Sequence, residues 1–470
     1  MSKEAPSAVE WRINVPPGAT SKILVPGSSG LVSKIKGLLG GLIFTVWRFL
    51  AKAWSLGKAE PDKVVHGLKV GLTISIVSLL NYVRPLYDSF GHNAIWAVMT
   101  VVVVFESKIG AMLCKCTNRV TGTFVAGAVG LGIQWLAVHA GQKAKPVILA
   151  ISVFLFASVA TFSRFIPSVK TRFDYGATVF VLTYSLVSVS GYRVDKMLFD
   201  LAWQRLTTIA MGVSLCIFVS MLICPNWAGN ELHCLIYGNM KKLADSLDGC
   251  VAEYFKENGE IKEDDEDHSK KIQGYKCVLN SKASEESLAN FAGWEPAHGS
   301  FSFGYPWKQY LKIGASVRNC AYCLETLSAC LSSEIQAPTC IKSHLSDVSM
   351  RLCSYSAHVL TELATMIKTM TKSSTLDLLV AEMNFAIQEL QDALKSHTNP
   401  YMAPELLTAE GPGDASGELV TKSGTPLLLE IIPLATTVSL LIEIAARIGG
   451  VVDAVEELTC LTEFKPAQIA

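Results

Sequence analysis

The stretch TVVVVFESKIGAMLCKCTNR, residues 100–119, changes character after Phe105. Up to that point it is a β-branched apolar run without charge; Glu106, Lys108, Lys115 and Arg119 then follow within fourteen residues. An oily run that stops at a mostly positive cluster has the form of a membrane span meeting the cytosolic headgroup layer, where Lys and Arg accumulate. The reading places a span up to Phe105 and an inner mouth, formed by the charges, after it.

The composition around this stretch agrees. Half of the 470 residues are hydrophobic and 17% are charged, against about 25% charged in an ordinary soluble domain. The net charge of zero hides an asymmetry: residues 1–226 hold 22 Lys and Arg against 9 Asp and Glu, and residues 227–470 hold 19 against 32. One part is basic and oily, the other acidic and aqueous in character. The 13 cysteines have no framework spacing and read as reduced thiols. Cys320 and Cys323 have the spacing of half a zinc site, with Cys330 and Cys340 as imaginable partners, but that segment reads as helix and no metal is expected. The N-terminal MSKEAPSAVEWRINVPPG has no charged-then-apolar signal pattern, so insertion is expected to rely on an internal span.

Six segments are apolar enough to cross a bilayer, which takes about 20 residues: 64–83, 92–105, 120–139, 146–165, 175–190 and 201–224, the second and fifth with their flanks. The fold class is therefore an all-α membrane protein, with six transmembrane helices per subunit and a C-terminal cytosolic helical domain. Basic residues set the orientation. Nine precede the first span; Lys108, Lys115 and Arg119 fall in the connection after the second, and Arg164, Lys170 and Arg172 in that after the fourth. Those connections face the cytosol, and the even count returns the C-terminus there.

Three domains follow. Residues 1–63 form a cytosolic N-terminus with an interfacial amphipathic helix at 31–54, whose Lys34, Arg48 and Lys52 share one face while Trp47 and Trp54 suit the headgroup layer. Residues 64–226 form the span domain. Residues 227–470 form an all-helical cytosolic domain, with helical patterns at 230–255, 305–331, 341–370 and 375–396, an acidic loop at 257–270 and a Pro, Gly and Ser-rich linker at 399–424. The apolar segment 433–452 is read as a packing helix, because Glu443 and Arg447 sit four apart in it. No strand pattern or nucleotide loop is visible.

Between 64 and 226 there are 13 basic residues and only five acidic ones, so pairing cannot neutralise the set. A Lys or Arg at the centre of a lipid-exposed helix costs about 2.5–3.5 kcal/mol on insertion scales. Arg205 in LAWQRLTTIAMG and Lys69 in VVHGLKVGL lie inside spans; Lys115, Arg119, Lys170 and Arg172 lie at inner span ends, and Lys108 and Arg164 are expected to snorkel. Residues of this kind along a water-filled path favour anions: one charge pair at 4 Å and an effective dielectric of 20 is worth about 4 kcal/mol. Gly122, Ala126 and Gly130, four apart, suit close helix packing, and prolines 85, 146, 167 and 225 fall at span ends rather than inside them.

GHNAIWAVMTVVVVFE at 91–106, KCTNR at 115–119, KTRFDYG at 170–176, CPNWAG at 224–229 and WEPAHG at 294–299 resemble, in order, the signature blocks of the plant aluminium-activated malate transporter family. The resemblance implies an anion channel that passes malate and inorganic anions, built as a homodimer with six spans per subunit and a helical cytosolic domain, and needing no cofactor. It places pore-lining basic positions on Arg119 and Arg205, with Lys69 and the Lys170/Arg172 pair as further members; Arg119 and Arg205 are expected to attract anions from opposite ends of one path. It makes Trp294, Glu295 and Pro296 a turn that docks the cytosolic helices, and Glu106 an ion-pair partner of a mouth cation. The plasma membrane is expected ahead of the vacuolar membrane. The end at Ala470 argues against regulation through a long tail. The outer connections offer only Asp88, Asp195 and Asp200 to a trivalent cation.

Two other classes stay open at this stage. A proton-coupled exporter of aromatic acids would need a titrating group in a span, where His66 is well placed; a helical membrane scaffold would need none. No nucleophile elbow, metal pair or carboxylate dyad points to an enzyme, and nothing points to nucleic acid.

Overall fold

The computed structural model describes residues 30–82, 94–141, 143–193, 198–255, 271–332, 339–402 and 425–466. The acidic loop 257–270, most of the linker 399–424, Asp88 and Asp195, and the side chains of Asp200 and Cys340 lie outside the described residues. The chain divides into two compact units, 1–65 and 66–470.

The first unit contains α1 (Gly30–Ala59), one helix of 30 residues. Phe44, Trp47, Phe49 and Trp54 stand exposed along it. The helix α2 (Pro61–Tyr82) begins at a proline, whose fixed φ and missing N–H suit a first helical position.

In the second unit α3 (Ala94–Val104), α4 (Ile109–His139), α5 (Lys145–Ser163), α6 (Pro167–Arg193) and α7 (Leu198–Leu222) make a bundle with α2. Three helices among the described residues, Ile109–His139, Lys145–Ser163 and Ala202–Leu222, are long and apolar enough to cross a membrane, and Ile95–Val104 is a shorter apolar helix. Large apolar side chains face outward on them, among them Ile151, Phe154 and Phe162 on α5 and Phe218 and Leu222 on α7, the pattern of helices solvated by lipid.

Two boundaries differ from the sequence expectation. Lys115 and Arg119 are not in a connection: α4 starts at Ile109 and carries both on its first three turns. Lys170 and Arg172 likewise sit on the opening turns of α6, which starts at Pro167. Charge alone suggested loops there; the helix persists because the polar groups are satisfied by neighbours. Asn118 Nδ2 donates to the Arg172 carbonyl at 2.7 Å, and Arg164 grips Asp174 with two hydrogen bonds of 2.7 and 3.2 Å instead of snorkelling freely.

The α4–α6 contact is close because it is made through small residues. A Cβ on Gly122 would sit 2.8 Å from the Gly176 carbonyl, too near for any larger residue without separating the helices. Farther along, Tyr184 on α6 donates to Ser152 on α5 at 2.8 Å.

The rest of the chain forms a helical domain of α8 (Ala228–Phe255), the short α9 (Tyr275–Leu279), α10 (Lys282–Ala292), α11 (Trp307–Leu331), α12 (Thr339–Thr369), α13 (Leu376–Met402) and α14 (Thr425–Thr462). Leu434, Val438, Leu441, Ala445, Ile448, Val452 and Val455 line the buried face of α14 at helical spacing, and the exposed Glu443–Arg447 pair lies on the other side. Cys320 and Cys323 are core side chains on α11; burial pushes the Cys320 thiol up to about 12. Glu285 and Arg318 form a buried ion pair between α10 and α11, and Ser281 donates to the same carboxylate at 2.6 Å. Among the described residues the β structure is a parallel pair of two-residue strands, β1 (Thr371–Lys372) and β2 (Lys465–Pro466), and an isolated bridge between His298 and Phe301, too short to leave an alternating pattern.

Candidate anion site and its helical clamp

The site starts where the opening stretch breaks. Lys108, the residue before α4, makes no side-chain cap, so the first N–H groups of α4 must find acceptors elsewhere. Ile109 N–H donates to the Asn226 carbonyl at 3.0 Å, and Gly110 N–H to Glu295 Oε1 at 3.1 Å. The same carboxylate caps α8: Ala228 N–H donates to Oε1 at 2.6 Å and Gly229 N–H to Oε2 at 3.0 Å. One buried carboxylate, its side chain 1% exposed, thus holds the N-termini of two helices, each carrying about half a positive charge.

The WEPAHG segment is built to deliver that carboxylate. It leaves α10 in a tight turn, with Trp294 N–H bonded to the Phe291 carbonyl at 2.9 Å and Glu295 N–H to that of Ala292 at 3.1 Å. His298 donates through Nδ1 to the Pro296 carbonyl at 2.9 Å and stacks on Trp227, ring centroids 3.9 Å apart. Gly110 lets the helices meet: a Cβ there would fall 2.2 Å from the Phe291 carbonyl oxygen. Lys108 closes the joint by pairing with Glu231 of α8. The turn at Trp294–Pro296 thus contacts α4 as well as α8 of the helical domain.

Above the clamp, Lys115 pairs with Glu106, which removes it from the set of free cations. One turn on, Arg119 is 7% exposed and its Nε has no hydrogen-bond partner. Arg205 on α7 lies within electrostatic reach of Arg119; its carbonyl accepts from Thr208 Oγ1 at 3.0 Å, and among the described residues its guanidinium makes neither hydrogen bond nor ion pair. Its guanidinium lies over the ring of Trp96 on α3, 4.3 Å from the centroid. Arg119 lies nearer the end where α4 starts and α7 finishes, and Arg205 nearer the opposite end of α7, within electrostatic reach of each other. Arg119 is ten residues into α4 and Arg205 seven into α7, about 15 and 10 Å along their helices at 1.5 Å per residue. The buried Tyr175 hydroxyl faces Arg119, and the buried Thr123 hydroxyl has no hydrogen-bond partner among the described residues.

The remaining sequence candidates stand apart. Lys69 donates its ammonium to the Cys224 carbonyl just past α7 at 2.8 Å, a contact that satisfies it without an anion. The side chains of Lys170 and Arg172 are exposed; Arg172 contributes its backbone carbonyl. Sequence reasoning missed Trp96, Tyr175 and the three clamped N–H groups. The only signal for the last was indirect: two helices that start, at Ile109 and Ala228, after residues with no side-chain acceptor.

Comparison with known proteins fits this arrangement. The family model described as "Aluminium activated malate transporter" matches residues 54–410. The chain is 51% identical to aluminum-activated malate transporter 10 of Arabidopsis thaliana, over 99% of this chain and 96% of that protein. It is 43% identical to transporter 2 of the same plant, over 87% and 77%, and 37% identical to transporter 1 of Triticum aestivum, over 93% and 90%. These are transporters and not enzymes, and the chain belongs to the aluminium-activated malate transporter family.

Proposed function

We propose that this chain is an anion channel that passes malate, and inorganic anions with it, down their electrochemical gradients. The observations that carry the reading are Arg119, buried, and Arg205, half-buried, inside an apolar bundle and within electrostatic reach of each other, with no ion pair to either among the described residues. Such an arrangement is costly unless water and a mobile anion complete it. The buried hydroxyl of Thr123, without a partner among the described residues, and that of Tyr175 facing Arg119 suit the same wet path. Relatives named as malate transporters support malate as a permeant ion.

In this reading there are six spans per subunit, both ends cytosolic, two subunits, α1 in the headgroup layer and the plasma membrane as the site of action. Glu106, paired with Lys115, is a mouth residue whose loss changes gating more than selectivity, and Glu295 ties the mouth to the helical domain. A proton-coupled exporter draws on one observation, the buried and partnerless Nδ1 of His66.

Cell currents separate the two. Malate currents are expected that reverse near the malate equilibrium potential and need no proton gradient. They are also expected without external aluminium, because a trivalent cation site needs several converging carboxylates and the outer connections have few. Transport only under a proton gradient would favour the exporter, and current only after aluminium would refute the second expectation.

The topology has its own test. Cys234, Cys277 and Cys460 are exposed thiols of the helical domain, so a membrane-impermeant maleimide should label them only in permeabilised cells, with the signal lowered in Cys277→Ser/Cys460→Ser. Labelling of any of them in intact cells would place that domain outside.

A further inference from the structure

Arg205 presents a physical problem that the anion reading alone does not solve. Another cation, Arg119, lies within electrostatic reach of it, and among the described residues no acceptor holds its side chain. A flexible guanidinium in that position would swing away from the repulsion. What the structure puts against it is an aromatic face, the Trp96 ring, 4.3 Å from the guanidinium carbon.

The register of that contact is fixed by packing. Ala97 and Val101 of α3 are fully buried, in one apolar cluster with Ile209, Val213 and Cys216 of α7. With those neighbours locked, Trp96 is held one residue from the seam and Arg205 one turn before it. The half-buried ring is a platform, not a free side chain.

Stacking has a chemical consequence. An arginine that lies over a π face uses the face of its own plane and leaves its in-plane N–H donors free. Those donors are arranged as a fork that matches the two oxygens of a carboxylate, whereas a halide is a sphere that needs charge but no fork. A guanidinium that turns freely keeps its charge but loses its aim.

We infer that Trp96 is a specificity-determining positioning residue: its stack with Arg205 aims the guanidinium fork into the path and so favours carboxylate anions over halides. The inference rests on the proposed anion path and deepens it.

The test is the malate-to-chloride permeability ratio, measured from reversal potentials in cells expressing the full chain. Trp96→Leu and Trp96→Met both remove the π face, and Met keeps a long, adaptable side chain in the gap if Leu fails to reach the surface. Either should lower the ratio by about 2- to 10-fold while chloride current persists, and Trp96→Phe should retain most of the ratio. An unchanged ratio in the Leu or Met variants, or an equal loss of malate and chloride current in all three, would overturn the role given to Trp96. Arg205→Ala keeps the two claims apart. If it lowers anion current while the Trp96 variants behave as wild type, only the Trp96 role fails; if it leaves malate and chloride currents unchanged, the path reading fails first.

Discussion

Replacing Arg205 or Arg119 with alanine is expected to lower malate current by roughly 5- to 150-fold, the effect of removing one charge-assisted contact of about 1–3 kcal/mol. Surface expression should stay normal. The physical reason lies in the sign of the interaction between them. The two guanidiniums lie within electrostatic reach of each other, so their like charges repel, and an anion between them offsets that repulsion. Removing one arginine should therefore not destabilise the empty protein electrostatically. It should abolish the rise in melting temperature that malate confers on a protein that binds it in the folded state. Arg→Lys separates charge from shape: it keeps current if a point charge suffices, and behaves as Ala does if the planar fork is required. A variant lacking either arginine with unchanged current would remove both from the path.

Glu295→Gln should have the second largest effect, through a different mechanism. The carboxylate accepts from three buried N–H groups of two helices. An amide offers one oxygen, and its NH2 would face donors, so at least one N–H would lose its acceptor. A cost of about 2–4 kcal/mol at the joint follows from the usual value of hydrogen bonds to charged groups and the penalty for orphaned ones. The loss should be local. Amides of Gly110, Ala228 and Gly229 should exchange hydrogen faster, while those of α12 and α14 keep their protection. Current should fall although Arg119 and Arg205 are intact, because α4 carries Arg119 and the clamp sets where α4 begins. Unchanged exchange at the three amides would show that the carboxylate does not hold them.

The organisation was legible where periodicity and length dominate. The apolar run ending at Phe105 is a helix through Val104. The segment 433–452 lies inside α14 with its Glu443–Arg447 pair exposed, and Gly122 lies at a close helix contact. What misled was charge. Lys115, Arg119, Lys170 and Arg172 read as connections because charged residues usually leave the bilayer, yet they are helical, since Glu106, the clamp and close packing on α6 supply what water would otherwise supply. What was invisible was pairing between distant residues. Nothing local links Trp96 to Arg205 or Gly110 to Glu295, which are 109 and 185 positions apart. Such contacts are set by how the helices meet, and a single sequence holds no local record of that.

Single-channel recording of the purified chain in a planar bilayer under a malate gradient tests the central claim most directly. The account predicts unitary steps that reverse near the malate equilibrium potential for the wild type, and their loss or severe reduction in Arg119→Ala/Arg205→Ala inserted at the same density. Steps of unchanged size and reversal potential in the double variant would contradict it.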